Sequence, residues 1–284
     1  MILTLASLCS LVLAQPALRA PVGLSARYRV DAAITVASAG GSARTLTQNA
    51  VVSLVESKPD DDGTSTLTGA FESLTAELAE GASQPIAFRF APADPAPADE
   101  SDFARDLRAA AAAGFSLIRF GGQLLPPPAQ ALSLRPRMPA PPEPARHLGP
   151  LAPSALPATF APVVGLDPAA RPRRVGESWT IERSLTNGIT LRLTPAVESI
   201  EGQRVAVRGP VEITSRPPEP GSAEPAILVT LRAGEFRAVW VGDRLESSDL
   251  RYDATWTARA ATDPPVERST TTSTRITLTL VRDP

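Results

Sequence analysis

The feature that most constrains this chain is the alternation of apolar and polar residues along much of its length. Apolar side chains stand at every second position in residues 28–36, and the same period recurs in residues 250–259 and 275–280. A two-residue period places alternate side chains on opposite faces of a β-strand. Strands with one apolar and one polar face assemble into antiparallel sheets that are covered on one side only. The sequence therefore predicts a mainly β protein built from antiparallel sheets.

One stretch has the composition of a helix instead. Residues 99–113 read DESDFARDLRAAAAA, with acidic residues in the first turn and a run of alanines after them. Alanine favours the helical state, and acidic or hydroxyl side chains cap helix N-termini. Gly114 follows directly and suits the left-handed residue that ends many helices. These features predict one short helix at about 99–113.

A proline-rich segment separates two β-rich halves. Residues 126–172 hold 14 of the 30 prolines of the chain. Proline fixes φ and removes a backbone donor, so neither a helix nor a ladder is expected there. The expected organisation is a first half with the helix at 24–125, an extended linker at 126–174 and a second half at 175–284.

The two halves repeat similar segments. GFSLIRFGGQLL at 114–125 is matched by EFRAVWVGDRL at 235–245, and TLTQNAVVSLVE at 45–56 is matched by TLRLTPAVESIE at 190–201. Repetition of strand, glycine turn and leucine in the same order predicts an internal duplication of two β units. Chance similarity between strands of like composition is the alternative.

The charge of the chain argues against some partners. Its formal net charge is −2, and Lys58 is its only lysine. A chain without a basic field is not expected to bind nucleic acid or an anionic membrane surface.

The beginning of the chain resembles a secretion signal. Residues 1–14 form an apolar run that ends in Val12, Leu13 and Ala14, and cleavage is expected after Ala14. We therefore expect an exported protein, periplasmic or extracellular, with no transmembrane segment in the mature chain. Cys9 is the only cysteine, and removal with the signal would leave no thiol. Lipidation at Cys9 is the alternative, although Leu8 is larger than the residue that such a signal places before its cysteine.

Aromatic residues supply the candidate ligand-binding site. Rings on strand faces can line an apolar pocket or a sugar-stacking surface, and they can equally be core. The candidates are Phe115, Phe236, Trp240, Tyr252 and Trp256.

No catalytic, metal or cofactor site is predicted. The acidic run at 60–63 is typical of a hairpin turn, with a calcium site as the alternative. His147, the only histidine, falls in the linker, where no frame would position it for a triad or a zinc site. Glu72, Glu177 and Glu212 are interpreted as strand or turn acids, with paired catalytic carboxylates as the alternative.

Two resemblances bear on function. VGESW at 175–179, the repeated phenylalanine strand with its glycine turn and the signal sequence resemble a loose group of exported bacterial β-rich proteins. That resemblance implies export and transfers no catalytic residue. In architecture the chain is similar to periplasmic lipid carriers, in which a curved antiparallel sheet wraps an apolar cavity and a helix closes it. The helix at 99–113 would then be the lid.

These observations leave three functional hypotheses. The first is a non-enzymatic exported module that binds a protein or an apolar ligand. The second is a carrier with an internal cavity, lined by Phe71, Phe88, Phe115, Trp240 and Trp256. The third is a hydrolase that uses two carboxylates across a groove.

Overall fold

The computed structural model describes residues 18, 20, 22–38, 40–97, 100, 102–120, 123–125, 149–151, 155–166, 171–184, 189–215, 226–259 and 267–282. The elements of the first half are β1 (Ser25–Ser38), β2 (Arg44–Glu56), β3 (Ser65–Glu80), β4 (Ile86–Phe90), α1 (Asp102–Ala113), β5 (Phe115–Phe120) and β6 (Gln123–Leu125). A second helix, α2 (Leu156–Val164), precedes β7 (Ile181–Ser184), β8 (Ile189–Leu193), β9 (Ala196–Glu201), β10 (Arg204–Ser215), β11 (Ala226–Val241), β12 (Arg244–Arg259) and β13 (Glu267–Leu280).

The strands form one antiparallel sheet, which confirms the predicted fold class. Its order is β6-β5-β3-β2-β1-β13-β12-β11-β10-β8-β7, with β4 beside β3 and β9 beside β10. The two predicted halves meet where β1 pairs with β13, from Tyr28 opposite Leu280 to Ser38 opposite Thr270. Neither described helix is long and apolar enough to span a membrane.

One face of the sheet carries the core. On β1 the side chains of Tyr28, Val30 and Ala32 are buried, whereas Arg29 and Ala33 are exposed. We call the buried side the inner face and the opposite side the outer face. The buried residues of both halves belong to one hydrophobic cluster. The alternation in the sequence thus encodes a single shared core.

Helix α1 confirms the prediction at 99–113, of which residues 99 and 101 lie outside the described part. Leu107 and Ala111 are buried, one turn apart on the same side of the helix, and α1 contacts β3 and β4. Gly114 has φ of 63°, as expected for a helix that ends in the left-handed region.

Helix α2 corrects the prediction of a single helix and of an extended segment throughout 126–174. Pro157 lies in its first turn, where backbone N–H groups make no hydrogen bond within the helix, so that proline is tolerated there. Pro162 lies near its end, so only the last turn is weakened. Seven of its residues are buried, which explains why burial overrides the low helix propensity of the segment. Residues 126–148, with most of the prolines of the expected linker, lie outside the described part.

The position of α2 shows that the sheet is strongly curved. Helix α2 contacts both β6 and β12, which are six strand steps apart in the sheet order. Six steps in a flat sheet span about 29 Å, whereas a helix of this length is about 13 Å long. The inner face must therefore bend around α2.

One aligned pair of positions recurs in the two repeats. Aligning the repeats places Gly69 on Gly209 and Phe115 on Phe236. Gly69 lies opposite Phe115 in the β3–β5 pair, and Gly209 lies opposite Phe236 in the β10–β11 pair. A Cβ atom added at Gly69 would fall 2.1 Å from the Phe115 ring, so this position requires glycine. The duplication itself stays a prediction.

The outer face is crossed by ion pairs in which arginine is the only described cation. Opposite charges on neighbouring strands stabilise a sheet, although each exposed pair contributes little. The cross-strand pairs include Arg27–Glu72, Arg204–Glu246, Arg208–Glu235, Arg192–Glu182 and Arg275–Asp249.

Candidate functional site

Two of the five predicted binding residues lie together on the inner face of β12. Tyr252 and Trp256 flank buried Ala254 and are themselves half-buried. The indole Nε1 of Trp256 donates a hydrogen bond of 2.6 Å to Thr272 Oγ1. Burial raises the pKa of the Tyr252 hydroxyl, and a hydrogen bond with Thr274 acts in the opposite direction. Both rings are thus fixed by β13 while part of each remains in reach of solvent.

The neighbouring strands extend this surface. Val229 lies opposite Trp256, and Leu231 lies opposite Ala254. On the other side, Thr274 pairs with both Tyr252 and Ile34, so the surface continues across β13 to β1. We call the half-buried apolar residues here the inner strip; they are Ile34, Val36, Val229, Leu231, Tyr252 and Trp256.

Of the other three predicted residues, two are core and Phe115 is half-buried. Phe236 and Trp240 are on the inner face of β11, with exposed fractions of 1% and 0%. Phe115 covers Gly69 and stacks on Phe160 of α2, with ring centroids 5.2 Å apart and an interplanar angle of 25°. The five residues therefore do not converge on one pocket.

The structure also bears on the carrier hypothesis. Phe71, one of the predicted cavity residues, contacts Phe115 edge to face at 5.8 Å. Phe160 fills the space on the other side of Phe115, so α2 occupies the part of the inner face where these residues would line a cavity. Two open surface pockets are described, of about 670 and 520 Å³. The first is lined by Arg171, Pro172, Arg174, Val175 and Glu177, and the second by Ala196, Val197, Glu198, Arg208, Gly209, Pro210, Gly234 and Glu235.

The carboxylates of the hydrolase hypothesis are bound by arginine. Glu72 accepts two hydrogen bonds from Arg27 Nε, of 2.9 and 3.1 Å, and the Arg27 and Ser53 side chains lower its pKa. Glu212 pairs with Arg192 on β8 at 3.3 Å. Strands β3 and β10, which carry these two acids, are separated in the sheet by five other strands. A general acid needs a raised pKa, and the direction at Glu72 is the opposite.

The remaining motifs have structural roles where they are described. The acidic run at 60–63 forms the turn between β2 and β3, in which Asp62 Oδ1 accepts the backbone N–H of Thr64 at 2.9 Å. His147 lies outside the described residues. Within the described ranges no three acidic, histidine or cysteine side chains are grouped closely enough to hold a metal ion.

A buried ion pair is the main feature that the sequence analysis missed. Glu56 and Arg119 are 2.9 Å apart, and their side chains are 0% and 3% exposed. Glu56 follows buried Val52 and Leu54 at every second position of β2, and Arg119 follows buried Leu117 on β5. The phase of the alternation therefore places both charges on the inner face, and this signal could have found them.

An apolar patch lies on the outer face near the β6 edge. Phe120 is 55% exposed, and Leu125 is 42% exposed. Ile118, which is half-buried, lies opposite Leu125 in the β5–β6 pair. We call these three residues the outer patch.

The VGESW segment forms an arginine-clamped loop. The carboxylate of Glu177 accepts hydrogen bonds from Arg171, from the backbone N–H of Arg174 at 3.1 Å and from Arg173 at 2.7 Å. These bonds, that from Arg171 first, lower the pKa of Glu177 to about 2. The Arg173 guanidinium lies 4.8 Å from the centroid of the Trp179 ring, so the clamp reaches a tryptophan.

Acid is expected to release this loop. The pKa of Glu177 is below its ordinary value of 4.5 in the folded state, so its bonds stabilise the loop above that pH and are lost as the pH falls toward 2. We expect the fluorescence of Trp179 to change over this pH interval. Subtracting the emission of the variant Trp179→Phe from that of the parent protein isolates the signal of Trp179. Glu177→Gln should remove the change. Circular dichroism of the strands, followed in the same titration, is the control for global unfolding; an unchanged transition in Glu177→Gln would contradict the prediction.

Comparisons with known proteins do not identify a relative that bears on these observations. No protein-family model matches the chain, and a search of the curated proteins finds no match.

Proposed function

We propose that this protein is a non-enzymatic binding module, and that the inner strip is its ligand-binding surface. The observation that carries the proposal is the half-burial of Tyr252 and Trp256 on β12, beside the fully buried Phe236 and Trp240 of the neighbouring strand β11. Aromatic rings that are rigidly held and partly open supply large contact area at low entropic cost. The ligand that fits such a surface is apolar.

The outer patch supports a second version of the same proposal, in which the partner is a protein. Apolar side chains gathered at a sheet edge are typical of docking surfaces, and Phe120 is the aromatic residue of the patch. The enclosed carrier is favoured less, because α2 occupies the inner face beside Phe115. A carboxylate-dependent hydrolase is favoured least, because arginine binds each acid considered for it.

Export belongs to the proposal as well. The apolar run at 1–14 favours a protein that functions in the periplasm or outside the cell, where an apolar ligand would need a protein surface to bind.

The version with an apolar ligand on the inner strip requires Trp256, whereas the version with a protein partner on the outer patch requires Phe120. A dye tests the first version. N-phenyl-1-naphthylamine is uncharged, its emission rises in apolar surroundings, and titration of the full chain gives its dissociation constant. Trp256→Ala is expected to weaken dye binding about tenfold, because it removes the largest ring of the surface. Tyr252→Ala should also weaken binding of the dye.

Phe120→Ala is the matched control, since it removes an exposed ring from the outer face. It should bind the dye as the parent protein does. Loss of binding in Phe120→Ala with retention in Trp256→Ala would overturn the assignment to the inner strip and favour the outer patch.

A further inference from the structure

A buried amide beside the inner strip has no hydrogen-bond partner among the described residues. Gln48 is on the inner face of β2 and is 2% exposed. Neither its Oε1 nor its Nε2 finds a hydrogen-bond partner within the chain as described. Buried polar groups are nearly always paired, since an unpaired amide costs free energy. A site left in this state is suited to a group that supplies both a donor and an acceptor.

A short turn covers Gln48. A Cβ atom added at Gly149 would lie 3.6 Å from Gln48 Oε1, 3.3 Å from Ile34 Cδ1 and 2.9 Å from Leu46 Cδ2. The turn at 149–151 therefore rests directly on the amide and on one end of the inner strip. It is tied to α2 by the hydroxyl of Thr159, which donates a hydrogen bond of 2.7 Å to the Pro150 carbonyl.

We propose that Gln48 recognises the uncharged polar end of a long apolar ligand, which lies along the inner strip once the turn at 149–151 moves aside. This inference rests on the proposed function and adds the chemical class of its ligand. Gln48 and Tyr252 are three strand steps apart across the sheet and two residues apart along the strands, which corresponds to about 16 Å. A ligand that spans this distance would cover Ile34 and reach the Tyr252 ring.

The surroundings of Gln48 define the polar end. Its neighbours on the inner face are Ala32 and Ala76 across the sheet and Leu46 and Ala50 along β2. All four are uncharged, so a carboxylate would be buried there without a cation, at a high cost in free energy. An alcohol or a primary amide can donate to Oε1 and accept from Nε2. The ligand class is therefore a neutral long-chain alcohol or amide.

Three probes with the same chain test this assignment: dodecanol, dodecanoic acid at neutral pH, and dodecane. Isothermal titration calorimetry with the full chain gives the dissociation constant of each probe. The parent protein should bind the alcohol about tenfold more tightly than the other two probes. Gln48→Leu should reduce alcohol binding to the level of dodecane, whereas Asn49→Leu, which changes the adjacent amide on the outer face, should keep the preference.

Two further measurements examine the amide and its cover. Gln48→Leu should raise the melting temperature without probe, because it removes an unpaired buried group; a lowered melting temperature would mean that Gln48 is paired and would overturn the inference. Thr159→Val removes the hydrogen bond to the turn and should tighten binding of every probe while keeping the alcohol preference; unchanged affinity would overturn the role of the turn.

The proposed function and this inference fail in different ways. Equal preference for the alcohol in the parent and in Gln48→Leu would overturn the role of Gln48 and leave the inner strip as the binding surface. Absence of binding by all three probes, together with absence of dye binding, would overturn both.

Discussion

Replacing Arg119 with methionine is expected to lower the free energy of unfolding by about 3–5 kcal/mol. The substitution keeps most of the apolar stem and removes the guanidinium, so that Glu56 is left buried without its cation. An uncompensated buried charge is among the most destabilising changes in a protein. Urea denaturation followed by circular dichroism gives the loss as a shift of the midpoint at constant slope.

The effect is large because the ion pair joins four segments. Glu56 accepts the backbone N–H of Gly23 at 3.1 Å and of Leu24 at 3.2 Å, and Ser65 donates its hydroxyl to the same carboxylate. Arg119 donates to the Ala20 carbonyl at 2.6 Å. The network thus fixes the segment before β1 against β2, β3 and β5.

Two variants make this prediction specific. Arg27→Met breaks the Arg27–Glu72 pair, whose side chains are 39% and 35% exposed, and should cost less than about 1 kcal/mol. The double variant Glu56→Leu with Arg119→Met should recover much of the stability, because it leaves no unpaired charge. Equal losses in Arg27→Met and Arg119→Met would contradict the prediction.

Replacing Phe160 with alanine is expected to lower the free energy of unfolding by about 3–5 kcal/mol as well. Phe160 is 0% exposed, and its ring stacks on Phe115, which in turn contacts Phe71. Its truncation leaves a hole where α2 meets the sheet, and the curved strands cannot all move in to fill it. The same urea titration measures the loss.

Phe120→Ala is the control for this truncation. Phe120 is on β5 like Phe115, but it is 55% exposed on the outer face. Its removal should change stability by less than about 0.5 kcal/mol. A small loss in Phe160→Ala would mean that α2 is a dispensable cover and would contradict its place in the core.

The parts of the fold that follow from local pattern could be predicted. Alternation along β1 and β12 determines which side chains are buried, and the composition of 99–113 favours a helix in isolation. Helix α2 has no such local signal: Pro157 and Pro162 argue against a helix, and only burial inside the sheet stabilises it. The helix forms only because the assembled sheet buries it, and the sequence of the segment alone does not show that burial.

The candidate site divides in the same way. Sequence places Phe236, Trp240, Tyr252 and Trp256 on strand faces, but it does not show how completely the assembled fold covers each ring. Two of these rings are core and two are half-buried. The phase of Glu56 and Arg119 indicates inward charges, yet their pairing requires β3, which joins their strands. That the Gln48 amide is buried without a partner among the described residues is seen only once the turn that covers it is in place.

The pairing of β1 with β13 has a consequence for how the chain reaches its native state. Eleven consecutive residue pairs connect segments about 240 positions apart, and contacts of such long range form slowly. During synthesis, β1 keeps an open hydrogen-bonding edge on this side until β13 has been made. An open edge invites other chains to add to it, so the nascent molecule is exposed to strand addition for as long as β13 is missing.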